Sequence, residues 1–279
     1  MAQGDQSLKY DGGETGFLLI HGLGGTPVEL RILAKGLHRA GFTVHCPQLP
    51  GHCGSEDDLK RVTWRDWITG SEAALDRLRR CCATVVVGGL SMGAIVALQV
   101  ARNRPADVDG LTLFGSTLWY DGWAIPWYGF LLRLLIDTPV GQSFRFVERE
   151  PYGIKDERTR RMIQAAMQRG NSAEAGLLGT PSQAVREMWR LVKSAKSAIP
   201  AITQPALVMH ARQDDVAGLS NALYLQRHLA GPVRLVVLED SYHMITIDRE
   251  SATVIAETAA FARSLAGDAD DRSRARITA

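Results

Sequence analysis

The chain has 279 residues, of which 46% are hydrophobic, so it can bury one large core or one core with an inserted subdomain. The net charge is +2, with 32 basic against 30 acidic residues and no dense basic stripe, which argues against a nucleic-acid partner. Because the sequence shows no secretion signal, no apolar run of membrane length and no disulfide-like cysteine pattern, we expect a reduced, cytoplasmic protein without a membrane span.

The first predicted strand is the short apolar run Gly16–Ile20, which leads into the glycine-rich loop His21–Gly25. A helix is predicted to follow, with Thr26 as its N-cap and a proline in the first helical position. Glu29 stands three residues after the threonine, a spacing that predicts a capping box. The next strand, Phe42–Cys46, runs into a turn rich in proline and glycine.

A buried strand is predicted at Thr84–Val87, where a β-branched run meets a pair of glycines. The next residues, Gly89-Leu90-Ser91-Met92-Gly93, follow the G-x-S-x-G pattern, and an apolar helix is predicted directly after them. A serine on a sharp strand-to-helix turn exposes its hydroxyl, and the crowding there requires small neighbours. A glycine turn with a structural serine is the alternative, but the legible strand and helix favour Ser91 as a nucleophile.

Three more strands are predicted at Gly110–Phe114, Pro205–His210 and Val233–Leu238, with a helix near Ser220–Leu229 between the last two. Each strand is apolar throughout, and strands alternate with helical patterns. This alternation predicts an α/β protein with a parallel sheet that is covered by helices on both faces.

The segment 116–199 interrupts the alternation, because it contains helical patterns and no convincing strand. We expect it to form a helical cap over the carboxyl ends of the strands, where such folds bind ligands. Residues 1–115 and 200–267 would then form the core, and 268–279, rich in aspartate and arginine, a flexible tail.

Aromatic and aliphatic residues crowd the first part of the predicted cap, and Arg133 is the only charge in its most apolar stretch. We predict that Trp119, Trp123 and Trp127 line an apolar substrate pocket. Packing of this segment on the core is one alternative, and weak contact with a lipid interface is another.

A serine nucleophile needs a base, and three of the seven histidines lie in predicted loops. His243 follows the last strand, where the chain order of this architecture places the base. His21 and His52 are expected to shape the pocket or its turns. The orienting acid is expected after the preceding strand, and Asp214 is favoured over Asp215 because it lies closer to the strand end.

An oxyanion hole needs two N–H donors, and we assign them to the backbone of Met92, directly after the nucleophile, and of Leu23, in the loop after the first strand. His21 and Gly22, in the same loop, are predicted to contact the substrate. Simple turn chemistry is the alternative explanation of the loop glycines.

Together these motifs resemble the α/β-hydrolase fold, and most closely its bacterial carboxylesterase and monoacylglycerol lipase group. The resemblance covers residues 17–266 and rests on His21–Gly25, Pro50-Gly51-His52, Gly89–Gly93, Asp214 and Ser241–Asp248. It implies a mostly parallel central sheet with a helical cap inserted after the sixth strand of the family's usual order. Cys53 departs from the group, which commonly has a glycine there, and this leaves the shape of the loop open.

The resemblance implies a serine hydrolase that cleaves carboxylic esters through an acyl-serine intermediate, with Ser91, His243 and Asp214 as its triad and no metal or organic cofactor. The expected substrate is a small apolar ester of short to medium acyl length or a monoacylglycerol. The alternatives are the same triad acting as a C–C hydrolase, lactonase, amidase or acyltransferase, and a low-turnover ligand-binding protein of the same fold. We expect a monomer or a homodimer.

Overall fold

The computed structural model describes residues 4–125, 136–138, 141, 143–147, 149–168, 176–177 and 179–277. The strands, in chain order, are β1 Leu8–Tyr10, β2 Thr15–Ile20, β3 Thr43–Cys46, β4 Thr84–Leu90, β5 Gly110–Phe114, β6 Arg145–Val147, β7 Gly179–Pro181, β8 Ala206–Ala211 and β9 Val233–Leu238. In this part of the chain a seven-stranded sheet has the order β1-β3-β2-β4-β5-β8-β9. Only its edge pair, β1 with β3, is antiparallel.

Helices cover both faces of this sheet. They are α1 Arg31–Arg39, α2 Glu56–Lys60, α3 Trp64–Arg79, α4 Met92–Asn103, α5 Glu157–Gln168, α6 Ser182–Ala198, α7 Ser220–His228 and α8 Ser251–Ile277. Side chains of α3, α4, α6 and α7 pack in one apolar cluster with Leu18 and Ile20, whereas those of α1 and α8 pack with Phe17 and Leu19. Because successive strand residues point to opposite faces, the two clusters lie on opposite sides of the sheet.

The predicted fold is therefore confirmed as a mostly parallel sheet between two helical layers. The register explains where a site can form. Ile20 at the end of β2 lies opposite Gly89, and Ala211 at the end of β8 lies opposite Leu238. The loops that leave the carboxyl ends of the parallel strands thus meet at one edge. None of the helices in the described ranges has the length and apolar character needed to cross a membrane.

The segment after β5 differs from its prediction as a purely helical cap. It contains β6 and β7, which pair antiparallel with Arg145 opposite Pro181, so the expectation of no strand is wrong. Strands of three residues are too short to leave a periodic pattern in the sequence. The last helix of this segment, α6, packs on α4 in the core. The boundaries of the cap at 116 and 199 stay a prediction, and Trp127 lies outside the described residues.

At the other end of the chain, α8 continues to Ile277, into the segment that the sequence predicts as a tail. The flexibility of residues 268–279 stays a prediction.

The first helix begins where the sequence predicts, but its capping differs. Thr26 is the N-cap of a short 3₁₀ helix, Pro27–Leu30, and its hydroxyl accepts the Val28 N–H at 3.2 Å. The predicted capping box is wrong, because the Thr26 hydroxyl accepts the N–H of Val28 instead of that of Glu29, and the Glu29 carboxylate accepts the N–H of Gly22. The glycine-rich loop folds back over the helix start, and sequence spacing does not reveal this long-range contact.

A buried carboxylate ties the cap segment to the loop after β9. Asp248 is 2% exposed, and its Oδ2 accepts the N–H groups of Lys155 and Tyr242, both at 2.8 Å. Its Oδ1 accepts those of Asp156 and Arg249, both at 2.9 Å. One side chain therefore satisfies four backbone donors from two segments far apart in sequence.

We predict that Asp248→Ala lowers the free energy of unfolding by about 3 kcal/mol, because four N–H groups lose a buried charged acceptor. The measurement is urea unfolding followed by tryptophan fluorescence. Asp240→Ala is the matched control, since this carboxylate is exposed and its ion pairs with Lys155 and Arg249 are screened by water, so its loss should leave the free energy of unfolding nearly unchanged. Equal stability of Asp248→Ala and the control would contradict the anchoring role.

Candidate active site

The nucleophile candidate Ser91 lies in a strained turn between β4 and α4. Its backbone has φ 57° and ψ −115°, in a region that residues other than glycine rarely adopt. The Ser91 N–H donates to the Phe114 carbonyl at 2.9 Å, which fixes the turn to the neighbouring strand. A Cβ at Gly93 would overlap the Ile20 carbonyl, and one at Gly89 would lie 2.6 Å from the carbonyl carbon of Gly93. The two glycines of the pattern are therefore required by close backbone packing.

The glycine-rich loop after β2 lies directly beside this turn. A Cβ added to Gly22 would be 3.6 Å from the Cβ of Ser91. Leu23, the predicted oxyanion donor, is the next residue in this loop. Met92, the other predicted donor, is the first residue of α4, and the first N–H groups of a helix have no partner within it. The oxyanion roles of Leu23 and Met92 stay predictions.

The structure brings Asp214 and His243 into direct contact. Asp214 follows β8 and His243 follows β9, and the two strands are neighbours in the sheet. The Nδ1 of His243 lies 2.8 Å from Oδ2 and 3.0 Å from Oδ1 of Asp214, so its N–H donates to the carboxylate. Both side chains are buried, with residue exposures of 5% and 3% for His243 and Asp214.

Backbone donors hold the Asp214 carboxylate in this position. Its Oδ1 accepts the N–H groups of Val216 at 2.9 Å and Ala217 at 2.8 Å. The second carboxylate oxygen lies 3.3 Å from Nε2 of the buried His210. Since a buried carboxylate needs such partners, the turn after β8 is built to keep Asp214 ionised and oriented towards His243.

Asp215, the alternative acid, makes backbone contacts instead. Its Oδ1 accepts the His243 N–H at 3.3 Å, and its Oδ2 accepts the Gly153 N–H at 3.1 Å. Met244 also donates to the Gly153 carbonyl, at 2.7 Å. Asp215 therefore connects the loop after β9, which carries His243 and is called the histidine loop, to Gly153 in the predicted cap, and its contacts are not with the imidazole ring.

The Ser91 hydroxyl is hydrogen-bonded to Thr117. The two oxygens are 3.0 Å apart, and the threonine hydroxyl also lies 3.2 Å from the Gly115 carbonyl, to which it donates. Among the residues that the structure describes, this is the hydrogen bond that Ser91 Oγ makes, and it does not run to His243. The His243 imidazole lies beside the residues that follow β5, because a Cβ on Gly115 would be 3.4 Å from its Cε1 and Nδ1.

Charges around the imidazole favour its protonated form. Burial by itself lowers the pKa of His243, but the charge and hydrogen bond of Asp214, with the charges of Asp215 and Glu29, outweigh burial and raise the pKa above its ordinary value. Burial raises the pKa of Asp214, but its contacts with His243 and His210 hold that pKa below the usual range. For Asp215, burial dominates and raises the pKa.

The sequence model of the alpha/beta hydrolase family matches residues 17–257 of this chain. The chain belongs to the α/β hydrolase family. The family resemblance stated from the motifs is therefore confirmed.

Relatives of this α/β hydrolase are named as esterases and lipases. It is 27% identical to a thermostable monoacylglycerol lipase of Bacillus sp. (strain H-257), with 95% of this chain and 96% of the relative covered. It is 21% identical to a carboxylesterase of Bacillus subtilis (strain 168), with 86% and 89% covered. A solved structure from work on LipS and LipT, two metagenome-derived lipolytic enzymes, has a TM-score of 0.78 and 26% identity, with 92% and 97% covered.

His21 and His52, which were predicted to shape the pocket or its turns, make hydrogen bonds with backbone groups of loops in this α/β hydrolase. His21 is buried, its Nδ1–H donates to the Gly22 carbonyl at 2.9 Å, and its Nε2 accepts the Leu49 N–H at 3.2 Å. Burial, together with the nearby His52, lowers the pKa of His21 well below its ordinary value, so the ring is neutral. His52 packs edge-on against it with ring centroids 4.8 Å apart. Contact of His21 and Gly22 with a substrate stays a prediction.

Cys53 stands in the loop that the sequence left open. It is buried and has φ 64°, a left-handed conformation that favours glycine. The backbone at Cys53 therefore adopts the conformation that a glycine would favour, although a cysteine occupies the position. Burial raises the pKa of this thiol to about 12, so it stays protonated.

For Trp119 and Trp123, the two predicted pocket tryptophans that the structure describes, the contacts are with residues other than the triad candidates. The Trp119 indole packs against Tyr224, lies under the Lys196 ammonium at 4.4 Å and donates to Asp121 at 2.7 Å. Trp123 is 59% exposed and donates to the Gln213 carbonyl at 3.0 Å. Their roles in substrate binding, and that of Trp127, stay predictions.

Sequence reasoning missed Thr117 and Glu29. Thr117 follows β5 at the same sheet edge as the other site residues, and this position could have indicated it. The role of Glu29 was hidden behind the capping-box spacing. No group of three His, Cys, Asp or Glu side chains within the described ranges has an arrangement that could hold a metal ion.

We predict that His243 titrates above the ordinary histidine pKa, and that Asp214→Asn lowers this pKa because it removes the charge nearest to the imidazole. The measurement is the pH dependence of the imidazole resonances by NMR in isotope-labelled protein. Asp240→Asn, which removes an exposed carboxylate, should leave the titration unchanged. A His243 pKa that does not move in Asp214→Asn would contradict the assigned pairing.

Proposed function

We propose that this α/β hydrolase cleaves carboxylic esters through an acyl-serine intermediate, with Ser91 as nucleophile, His243 as base and Asp214 as the orienting acid. The observation that carries the proposal is the buried Asp214–His243 pair, whose imidazole lies beside Gly115, and Gly115 is linked to the Ser91 hydroxyl through Thr117. Relatives named as a monoacylglycerol lipase and a carboxylesterase support ester hydrolysis as the reaction.

The hydrogen bond between His243 Nδ1 and Asp214 supports one direction of proton transfer. Because Nδ1–H donates to Asp214, Nε2 is the nitrogen that accepts the Ser91 proton. The carboxylate stabilises the imidazolium that forms, in agreement with the raised pKa of His243. Before attack, the hydroxyl exchanges its hydrogen bond with Thr117 for one with the imidazole.

Attack of Ser91 Oγ on the ester carbonyl carbon places a negative charge on the carbonyl oxygen. The N–H groups of Leu23 and Met92 stabilise this charge. His243 then gives its proton to the leaving alcohol as the ester C–O bond breaks and the acyl-serine remains. A water molecule, deprotonated by the same imidazole, attacks the acyl-serine and releases the carboxylic acid and the free Ser91 hydroxyl.

The proposed substrates are uncharged esters of short to medium acyl length, or monoacylglycerols. The lipase and esterase names of the relatives support this class, and the crowded aromatic sequence of the cap fits an apolar acyl group. Trp123, which lies against Tyr242 with ring centroids 5.5 Å apart, is next to the histidine loop and is the described tryptophan best placed to meet substrate there.

We predict that Ser91→Ala lowers kcat for p-nitrophenyl esters by at least about a thousandfold, because the attacking oxygen is removed. The assay uses p-nitrophenyl esters of graded acyl length and a monoacylglycerol, with released acid or phenolate measured. Ser116→Ala is the matched control. It removes a buried hydroxyl at the same edge, which has no partner among the described residues, and should keep kcat within about threefold. Equal rates of Ser91→Ala and wild type would overturn the proposal.

We further predict that Asp214→Asn lowers kcat by about a thousandfold or more, whereas Asp215→Asn lowers it by less than about tenfold. Asp214 bonds to the imidazole ring, but Asp215 bonds to two backbone N–H groups, one of which the asparagine oxygen can still accept. Steady-state kinetics of the two variants distinguish the candidates. A larger loss in Asp215→Asn would reverse the assignment of the acid.

A further inference from the structure

The carboxylate of Glu29 lies inside the loop that holds Leu23. Its Oε1 accepts the Gly22 N–H, and a Cβ on Gly22 would be 3.3 Å from the same oxygen. On the other side of the loop, a Cβ on Gly25 would overlap the second carboxylate oxygen. The loop therefore closes on the Glu29 side chain, and a side chain at Gly25 would displace its carboxylate.

Both backbone polar groups of Gly22 are hydrogen-bonded. Its N–H donates to Glu29, while its carbonyl accepts the Nδ1–H of His21 at 2.9 Å and the Gly25 N–H at 3.2 Å. The Gly22 carbonyl and the Leu23 N–H belong to one peptide group, which is planar. The contacts of the Gly22 carbonyl therefore set the direction of the Leu23 N–H directly, and the Glu29 contact fixes the preceding peptide group, from which the Gly22–Leu23 group continues.

Glu29 is also connected to the histidine loop. Its backbone carbonyl accepts the hydroxyl proton of Thr246 at 2.8 Å. The titratable groups around His243 are Asp214 and Asp215 from the turn after β8, His210 from β8 itself, and Glu29 from the helix start after β2. Among these, Glu29 is the one whose side chain bonds to the loop of the predicted oxyanion donor.

We propose that Glu29 is a positioning residue for the hydrolysis, whose carboxylate fixes Gly22 and thereby aims the Leu23 N–H at the oxyanion. The proposal rests on the proposed function, since it assigns Leu23 to the oxyanion hole of the Ser91 reaction. The Glu29 charge has a second effect, because it favours the imidazolium of His243. The hydrogen bond and the charge can be separated by substitution.

Glu29→Ala removes both the acceptor and the charge, and Glu29→Gln keeps an acceptor oxygen at the same reach but removes the charge. We expect Glu29→Ala to lower kcat by about 10- to 100-fold with KM within about twofold, since a misdirected donor weakens transition-state binding. We expect Glu29→Gln to restore kcat to within about threefold of wild type. Its acid limb in the kcat/KM profile should move to lower pH, because His243 without the Glu29 charge loses its proton at lower pH.

The controls separate this proposal from the function on which it rests. Ser91→Ala is assayed in parallel on the same esters, and Glu72→Ala removes a carboxylate on α3 that bonds to Asn103, which should leave kcat unchanged. If wild type and Ser91→Ala are equally inactive, the proposed function fails. If Ser91→Ala alone is inactive while Glu29→Ala keeps wild-type kcat, the positioning role fails.

A Glu29→Gln variant as slow as Glu29→Ala would also overturn the positioning role. An acid limb that does not move in Glu29→Gln would overturn the second effect, that of the Glu29 charge on His243. If Glu29→Ala does not fold, Glu29→Asp replaces it, because aspartate keeps the charge but is one methylene shorter. We then expect kcat about tenfold below wild type and an acid limb that moves less than in Glu29→Gln, and a wild-type kcat in Glu29→Asp would refute the role of the hydrogen bond.

Discussion

The buried contact between Asp214 and His243 is the interaction on which the site depends. Removing both groups from water is costly, and the cost is offset because each has fixed polar partners. Val216 and Ala217 donate to the carboxylate, and the carboxylate accepts the imidazole N–H at 2.8 Å. The result is a buried imidazole in a fixed orientation at the end of the sheet. In the proposed function, this imidazole is the base for the Ser91 hydroxyl.

The histidine loop, the acid turn and the cap segment form one hydrogen-bonded unit. Asp215 joins the His243 backbone to Gly153, and Asp248 joins the following cap residues to the same loop. A change in the position of residues 153–156 would therefore also act on the backbone around His243.

Sequence reasoning succeeded where the signal was local. The strands Gly16–Ile20 and Gly110–Phe114, and the turn around Ser91, are recognisable because apolar runs, glycines and helix starts follow one another within a few residues. It failed where a contact joins distant segments. Glu29 was assigned to a helix cap by its spacing, yet its carboxylate bonds to Gly22. The strands β6 and β7 leave no signal in the sequence because each has only three residues, too few for a periodic pattern.

The sequence by itself determined the α/β alternation, the G-x-S-x-G turn and the short set of residues able to act as base and acid, because these depend on residue type and chain order. Only the tertiary structure decided how two adjacent aspartates divide their contacts, with Asp214 on the imidazole ring and Asp215 on the backbone. It also decided that the Ser91 hydroxyl is hydrogen-bonded to the Thr117 hydroxyl. Such choices follow from the directions in which side chains leave separate strands, and these directions are fixed only when the sheet assembles.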